Sequence, residues 1–455
     1  MPTHDGEYHI VRFWQFDKVF STGNLLPRWA PDLDRGRGVP IFAFFYPLPN
    51  YIAEVFVLLG FSYVKSLHLV LASGLILSGI TFHLWMTTLF KPWASAVGAV
   101  FYILAPYHLV DVFIRGSVGE MWSLALAPLV LFFTTKLISR LKSDARACEV
   151  NRIIVLNSII VFLLLLSHNI LGPVFFAFGL IYGVVVVYQA RAHKIMTGLQ
   201  TKAELKYVLF KNLLLSFGLG FMLSGFFWVP VVFDQQYVEG LNIVDVTSHF
   251  PQLYQLLVPS WGTGFSGVGN LGDQMSFQIG VPHLLAVLLI LTLKAKSAYL
   301  QSYKKSDFSY VSYVSYDSFL AVFMLTVFAG AVVLMLSVSE PIWRIVPFMQ
   351  YFQHPWRLLS LVILTSSFLV AAVSSIKSKI LVPFMLILAF VFYLPYTKPV
   401  VYPARDDSFY LENPTWTEGT ATLGDSFRAR KGAKEKIDSS NARKIGNLIS
   451  FIGLL

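Results

Sequence analysis

Cysteine and charge are what this chain has least of. Its 455 residues include one cysteine, Cys148. A single thiol excludes an intrachain disulfide and any Cys-based metal site. Asp, Glu, Lys and Arg make up 13% of the residues, about half the share of roughly 25% in soluble domains. A soluble chain of this length splits into two or three domains with polar surfaces, and here the charge to cover them is missing. Recognisable catalytic loops are missing too: there is no P-loop, no H-E-x-x-H and no G-x-S-x-G. Gly262 to Gly267 spells G-x-G-x-x-G. No strand precedes it and no amphipathic helix follows, so the dinucleotide reading fails. No heptad and no fixed-period repeat is found. The histidines lie mostly singly, so no particular metal site is expected. The cofactor expectation stays at none, with a divalent cation as the one possibility left open.

What the chain has is apolar length. Hydrophobic residues make up 56% and aromatics 16%. A spanning helix needs about 20 mainly apolar residues. Ten segments meet that need: 66–90, 93–108, 120–138, 153–168, 170–189, 207–232, 277–293, 318–336, 358–376 and 380–395. The expected fold is therefore an all-α polytopic membrane protein of about ten transmembrane helices. Residues 47–60 are apolar but short, which predicts a helix lying on the membrane surface.

The charges orient the bundle. Arg140, Lys142, Arg146 and Arg152 fill one loop; Arg191, Lys194, Lys202, Lys206 and Lys211 another; Lys294, Lys296, Lys304 and Lys305 a third; Lys377 and Lys379 a fourth, and Lys91 marks a tight turn. Residues 233–276 hold no Lys or Arg, although they carry Asp234, Glu239, Asp245 and Asp273. The two groups alternate along the chain. The positive-inside rule puts the basic group in the cytoplasm and the rest outside the plasma membrane. The net charge of +10 is thereby topology signal and anionic-lipid contact, with no nucleic-acid partner implied. Residues 1–65 become an extracytoplasmic loop with an interfacial helix, 66–395 the helical bundle with outer loop 233–276, and 396–455 an extracytoplasmic tail. The tail's basic run from Arg428 to Lys444 lies too far from a span to weigh in the rule. Met1 to Gly6 leads straight into polar, aromatic sequence without a signal peptide, so a further spanning helix is expected upstream. The apolar end, Ile445 to Leu455, is too short to span, and a truncation is expected there as well.

Four polar constellations fall on the outer face. The first runs from His4-Asp5-Gly6-Glu7-Tyr8-His9 through Arg12-Phe13-Trp14 to Pro27-Arg28-Trp29 and Gly36-Arg37-Gly38-Val39-Pro40. Asp5 and Glu7 lie close enough to serve one site, and Asp5 and His9 share a face if helical. The aromatics are platforms for a sugar, or simply an interfacial belt. The second is Arg115-Gly116-Ser117-Val118-Gly119-Glu120. Glu120 suits the first turn of a helix and Ser117 its cap. Arg115 then either binds a lipid phosphate or pairs with Asp111 or Glu120. The third, Ser167-His168-Asn169, is either a polar turn or part of a cavity. In the fourth, Gln350 to Arg357, His354, Trp356 and Arg357 abut a span. Arg357 there suits a phosphate or an interfacial anchor.

These motifs together resemble a family of bacterial membrane proteins labelled "6-pyruvoyl-tetrahydropterin synthase-related". The resemblance rests on Asp5-Gly6-x-x-His9, Phe13-Trp14, Pro27-Arg28-Trp29, Gly36-x-Gly38-x-Pro40, Tyr46-Pro47-Leu48, Arg115-Gly116 with Glu120, Ser167-His168-Asn169 and Pro355-Trp356-Arg357. It covers most of the chain up to about residue 395. The pterin chemistry in that label finds no support, since clustered histidines for its zinc site are absent. The architecture also resembles the type C (GT-C) glycosyltransferases, whose first outer loop carries an acidic motif followed by surface helices. That resemblance implies a sugar donor on polyprenyl phosphate and an extracytoplasmic glycan, lipid or protein acceptor. It implies a carboxylate base, Asp5 or Glu7, with His9 beside it. Arg115 and Arg357 would hold the phosphate. Trp14, Arg28, Trp29, Glu120, His168, Asn169, His354 and Trp356 would line the substrate site. Asp5-Gly6-Glu7 departs from an adjacent acidic pair, which leaves the base undecided. Two other functions stay open: a transporter or flippase of a lipid-linked or polar solute, and a non-catalytic membrane assembly protein.

Overall fold

The computed structural model describes residues 3–142, 146–189, 202–240, 245–266, 274–302, 308–347, 349–376, 378–398, 404–422 and 425–430. Among them the secondary structure is helical, with three isolated β-bridges and no strand. The N-terminal segment forms α1 (Gly6–Phe20), the short α2 (Ile41–Phe44) and α3 (Leu48–Leu58). The bundle follows with α4 (Tyr63–Thr87), α5 (Pro92–Leu104), α6 (Pro106–Val110), α7 (Val118–Lys142), α8 (Ala147–Ser167), α9 (Leu171–Gln189), α10 (Lys202–Leu223) and α11 (Gly225–Phe233). After the outer-loop helix α12 (Leu253–Leu257) come α13 (Val281–Ser302), α14 (Phe308–Met335), α15 (Glu340–Ile345), α16 (Leu359–Ile376) and α17 (Ser378–Tyr393). The tail carries α18 (Asp407–Leu411) and α19 (Pro414–Thr417).

Seven of these helices are long and apolar enough to cross a membrane, and nine if each of two bent pairs counts as one span. The first bend, 43°, separates Pro92–Leu104 from Pro106–Arg115; the second, 87°, turns Ser337–Ile345 away from Phe319–Met335. Proline explains the first, because Pro106 offers no N–H to the preceding turn. The chain is thus a multi-pass membrane protein. The expected span 277–293 falls within α13 (Val281–Ser302), whose described apolar stretch is Val281–Leu293. The expected span 207–232 is two helices, broken at Ser224. Residues 47–60 hold the short apolar helix Leu48–Leu58.

Helices α7 and α16 are the centre of the bundle. Within their membrane stretches 72% and 83% of the residues are buried, against 17% for the last span. Lipid-facing helices keep apolar side chains such as Ile76, Ile181, Phe221 and Ile387 on their outer surface, because hydrocarbon solvates them. Close approach replaces a hydrophobic driving force between spans. A Cβ on Gly98 of α5 would come within 2.9 Å of the Ala371 Cβ and 3.1 Å of the Ser367 carbonyl on α16.

A second apolar core sits outside the bundle. It joins Ile10, Phe13 and Phe16 of α1 to Phe42, Tyr46 and Ala53, and to Tyr410 and Phe427 from the tail. The tail also caps the bundle: the Asp407 carboxylate accepts the backbone N–H groups of Tyr63 and Val64, each at 2.9 Å, at the start of α4. N-terminal segment and tail therefore lie on one and the same face.

Candidate functional site

The four constellations meet around one carboxylate. Glu120 opens α7 and is fully buried. Its Oε1 receives Arg115 Nη1 at 2.9 Å and Arg357 Nε at 3.1 Å, with His168 Nε2 at 3.9 Å. Tyr107 donates its hydroxyl to Oε2 at 2.6 Å. The placement is local in origin. A wide, π-type turn at Asp111–Arg115 ends on Gly116, whose φ of +64° reverses the chain into α7. Left-handed backbone of this kind favours glycine. Asp111 precedes Arg115 by one helical turn and accepts from it at 2.5 Å.

Asp5 closes the network on its outer side. The N-terminal segment is pinned by backbone bonds, His4 N–H to Ile114 O at 3.0 Å and Asp5 N–H to Arg115 O at 2.7 Å. Asp5 stands at the start of α1 without a side-chain bond to that helix. Its carboxylate lies 3.7 Å from Arg115 Nη2, and the side chain is 41% exposed. It is the exposed member of an otherwise buried set. Three carboxylates, Asp5, Asp111 and Glu120, face two guanidiniums, Arg115 and Arg357.

An aromatic wall stands beside the cations. The Arg115 guanidinium lies 4.7 Å, and that of Arg357 5.9 Å, from the Trp356 ring centre. His354 stacks on Trp356 at 4.9 Å, and His249 of the outer loop meets His354 at 4.5 Å. Trp356 Nε1 and His354 Nδ1 are buried without a hydrogen-bond partner among the described residues. Burial, then the nearby Arg357, holds the His354 imidazole far below its ordinary range, in the neutral form. The outer loop is latched here a second time: His4 bonds the Thr263 carbonyl at 2.7 Å and stacks on Phe265 at 4.1 Å.

His168 has a double role. Its Nδ1 accepts the backbone N–H groups of Ile170 and Leu171, both at 3.1 Å, so it caps α9. That bond leaves the proton on Nε2, facing Glu120. Burial lowers its pKa to about 3, against the pull of Glu120. Its ring stacks on Tyr46 at 5.0 Å, and the Tyr46 hydroxyl stands 3.5 Å from His9 Nε2. His9 is buried, and burial and Arg12 keep it neutral.

The other expected site residues make their contacts elsewhere. Glu7 is tied to the tail, by Arg405 at 2.5 Å and the Tyr410 hydroxyl at 3.2 Å. Asn169 donates to the Phe44 carbonyl at 2.7 Å. Arg28 donates to the Phe226 carbonyl at 2.8 Å, next to the break before α11. Trp14 and Trp29 pack on the outer apolar core, and Trp29 fills the space that a side chain at Gly38 would need. The network adds Tyr107, Asp111, Gln353, His249 and Tyr46 to the expected set. Asp111 carried a signal in its spacing of four from Arg115, Tyr46 in Tyr46-Pro47-Leu48 and Gln353 in the run Gln350 to Arg357; Tyr107 and His249 carried none.

One open depression of about 610 Å³ lies within the tail (residues 404–413) and another of about 670 Å³ between the tail and Asp34, Arg35 and Arg37; neither includes Asp5, Glu120 or Arg357. Among the described residues no group of three or more His, Cys, Asp or Glu side chains is arranged to hold a metal ion. The donor set at Asp5 does not fit a divalent cation, since its nearest charged neighbour is a guanidinium. The chain matches no known family model, no curated protein and no solved structure.

Proposed function

We propose that the chain is a membrane glycosyltransferase, transferring a sugar from a polyprenyl-phosphate donor to an extracytoplasmic acceptor hydroxyl with inversion. One observation carries this reading: a half-exposed carboxylate, Asp5, held 3.7 Å from an Arg whose other contacts are buried. A base must meet solvent or substrate and yet be positioned by a rigid set. Glu7 is engaged by Arg405 and Tyr410, so Asp5 is the base in this reading.

The same reading takes the bundle as GT-C-like and ten-membered. N-terminal segment and tail share a face, which requires an even number of crossings between them. Nine spans plus Val281–Leu293 satisfy that parity. The positive-inside rule, applied to the basic loops, supports reading this face as the one outside the plasma membrane. The family resemblance carried by Asp5-Gly6-x-x-His9 and Pro355-Trp356-Arg357 points the same way.

In the transfer, the acceptor oxygen attacks the anomeric carbon while its proton passes to the Asp5 carboxylate. The bond from that carbon to the phosphate oxygen breaks, and polyprenyl phosphate leaves with the electron pair. Arg357, beside Trp356 and paired with Glu120, adds longer-range positive charge toward the departing phosphate. Arg115 serves chiefly to position Asp5, because Asp111 and Glu120 already neutralise it.

The test is release of polyprenyl phosphate from polyprenyl-phosphate sugars by the full chain in nanodiscs. Asp5→Asn is expected to lower the rate by about 100-fold or more, and Glu7→Gln to retain it. Full release by Asp5→Asn sinks the assignment. Movement of intact donor across the bilayer without release favours a transporter instead.

A further inference from the structure

Charge accounting singles out a residue that the site described above leaves unused. Arg12 lies in the middle of α1 and is 5% exposed. A buried charge is costly unless it is paired and hydrogen-bonded. The buried guanidiniums of Arg115 and Arg357 each have a carboxylate. Arg12 has none at ion-pair distance among the described residues. Its Nε and Nη2 both donate to one neutral oxygen, the Ala421 carbonyl, at 2.8 and 2.6 Å. Its Nη1 stands 3.4 Å from His9 Nδ1, and the Phe45 ring lies 4.0 Å from its carbon. Tyr46, Asp5 and Tyr8 face it through space. Two parallel N–H groups on one edge of a guanidinium are the arrangement that grips two oxygens of a phosphate.

The oxygen that occupies this fork comes from strained chain. Ala421, Asp425 and Phe427 have φ of +52°, +51° and +65°, a region that non-glycine residues rarely adopt. Such strain persists only where surrounding contacts hold it. Here the holding contacts are Arg405 on Glu7, Arg428 on Asp34 at 3.1 Å, and Phe427 stacked on Phe44 at 5.6 Å. Arg12 follows Asp5 by two helical turns on the same face, about 10 Å along the axis. An acceptor hydroxyl, the anomeric carbon and the phosphate bonded to that carbon, set in line, fit that interval, with the hydroxyl at Asp5 and the phosphate at Arg12.

We propose that Arg12 is the binding group for the phosphate of a lipid-linked donor, and that the stretches 418–422 and 425–430 form a strap whose Ala421 carbonyl fills the fork until the phosphate displaces it. The identity of the ligand rests on the glycosyl-transfer reading; the exchange of strap for phosphate does not require turnover.

The test uses the full chain in nanodiscs with a polyprenyl phosphate as probe. The same-length polyprenol, phosphatidylglycerol and inorganic phosphate are the comparison arms. Binding is read by native mass spectrometry, and hydrogen exchange is followed over 418–422 and 425–430. Polyprenyl phosphate is expected to bind and to raise exchange in both stretches. Arg12→Gln should bind it about tenfold or more weakly, Arg12→Lys should fall between, and Phe427→Ala should bind it more tightly. An equal response to polyprenol, to phosphatidylglycerol or to inorganic phosphate overturns the proposal. So does unchanged exchange at saturating probe in the unaltered protein, a result that stands even if Arg12→Gln fails to fold. Strap release with no sugar transfer in the Asp5 assay would leave this site in place and remove the glycosyl-transfer reading.

Discussion

Glu120 and Arg357 stand 237 positions apart in the chain and 3.1 Å apart in the fold. They tie the N-terminal ends of α7 and α16, the two most enclosed of the candidate spans. Glu120→Gln keeps the shape and removes the charge that Arg115 and Arg357 share. Breaking a buried pair in this way is expected to cost about 3–5 kcal/mol, seen as a fall in Tm of the detergent-solubilised protein. Asp5→Asn, at a partly exposed position, should change stability by less than about 1 kcal/mol. Equal Tm values for Glu120→Gln and the unaltered protein would show that the network does not hold the bundle.

Gly116 is a second structural requirement. Its φ is +64°, and a Cβ there collides with the Thr3 hydroxyl and approaches Gly6 Cα to 3.1 Å. Gly116→Ala therefore costs roughly 1–2 kcal/mol in backbone alone and pushes the N-terminal segment off Arg115. The measurement is protease sensitivity of residues 3–20 together with Tm. Unchanged protection of that segment would count against the docking described.

Glu54 predicts a pH response. It is 3% exposed in α3, and burial, reinforced by the Asp17 carboxylate, raises its pKa to about 7. The protonated form is the one the fold accommodates. Its contribution to stability is complete below the ordinary carboxyl range near 4.5 and is lost as pH rises to about 7. Tm should fall across that window, and Glu54→Gln should flatten the slope. A slope unchanged by the substitution assigns the effect to another group.

His168 predicts a response of opposite sense. Burial lowers its pKa to about 3, so its contribution is complete above the ordinary imidazole value of 6.5 and declines as pH falls from there toward 3. Because Nδ1 caps α9, His168→Asn retains an acceptor and should lose less than about 1 kcal/mol, whereas His168→Leu should lose about 1–2 kcal/mol more. Indistinguishable Tm values for the two variants would refute the cap.

Much of the architecture was readable along the chain. Apolar length and the alternation of basic loops depend on neighbours in sequence, because a bilayer acts on each helix as it inserts. That is why the short apolar helix at 48–58 and most candidate spans fall where apolar length put them. The breaks after Leu104 and at Ser224 are less legible, since a kink is a few residues of backbone inside a continuous apolar run.

The partners of the ionisable groups were not readable in this way. Residues 5, 115, 120, 168 and 357 carried the right chemistry in the sequence, and charge parity led to the expectation that they share one face. Which of them touch was decided by packing: only when α7 and α16 close against each other does Glu120 receive two guanidiniums. Docking of the tail separated Asp5 from Glu7, which look equivalent in Asp5-Gly6-Glu7. One faces Arg115 and solvent; the other is held by Arg405 from the far end of the chain. Arg12 shows the reason most plainly. Its charge is visible in the sequence, but its burial without a carboxylate exists only once the tail folds back over α1, because ion pairing depends on distance through space and not on separation along the chain.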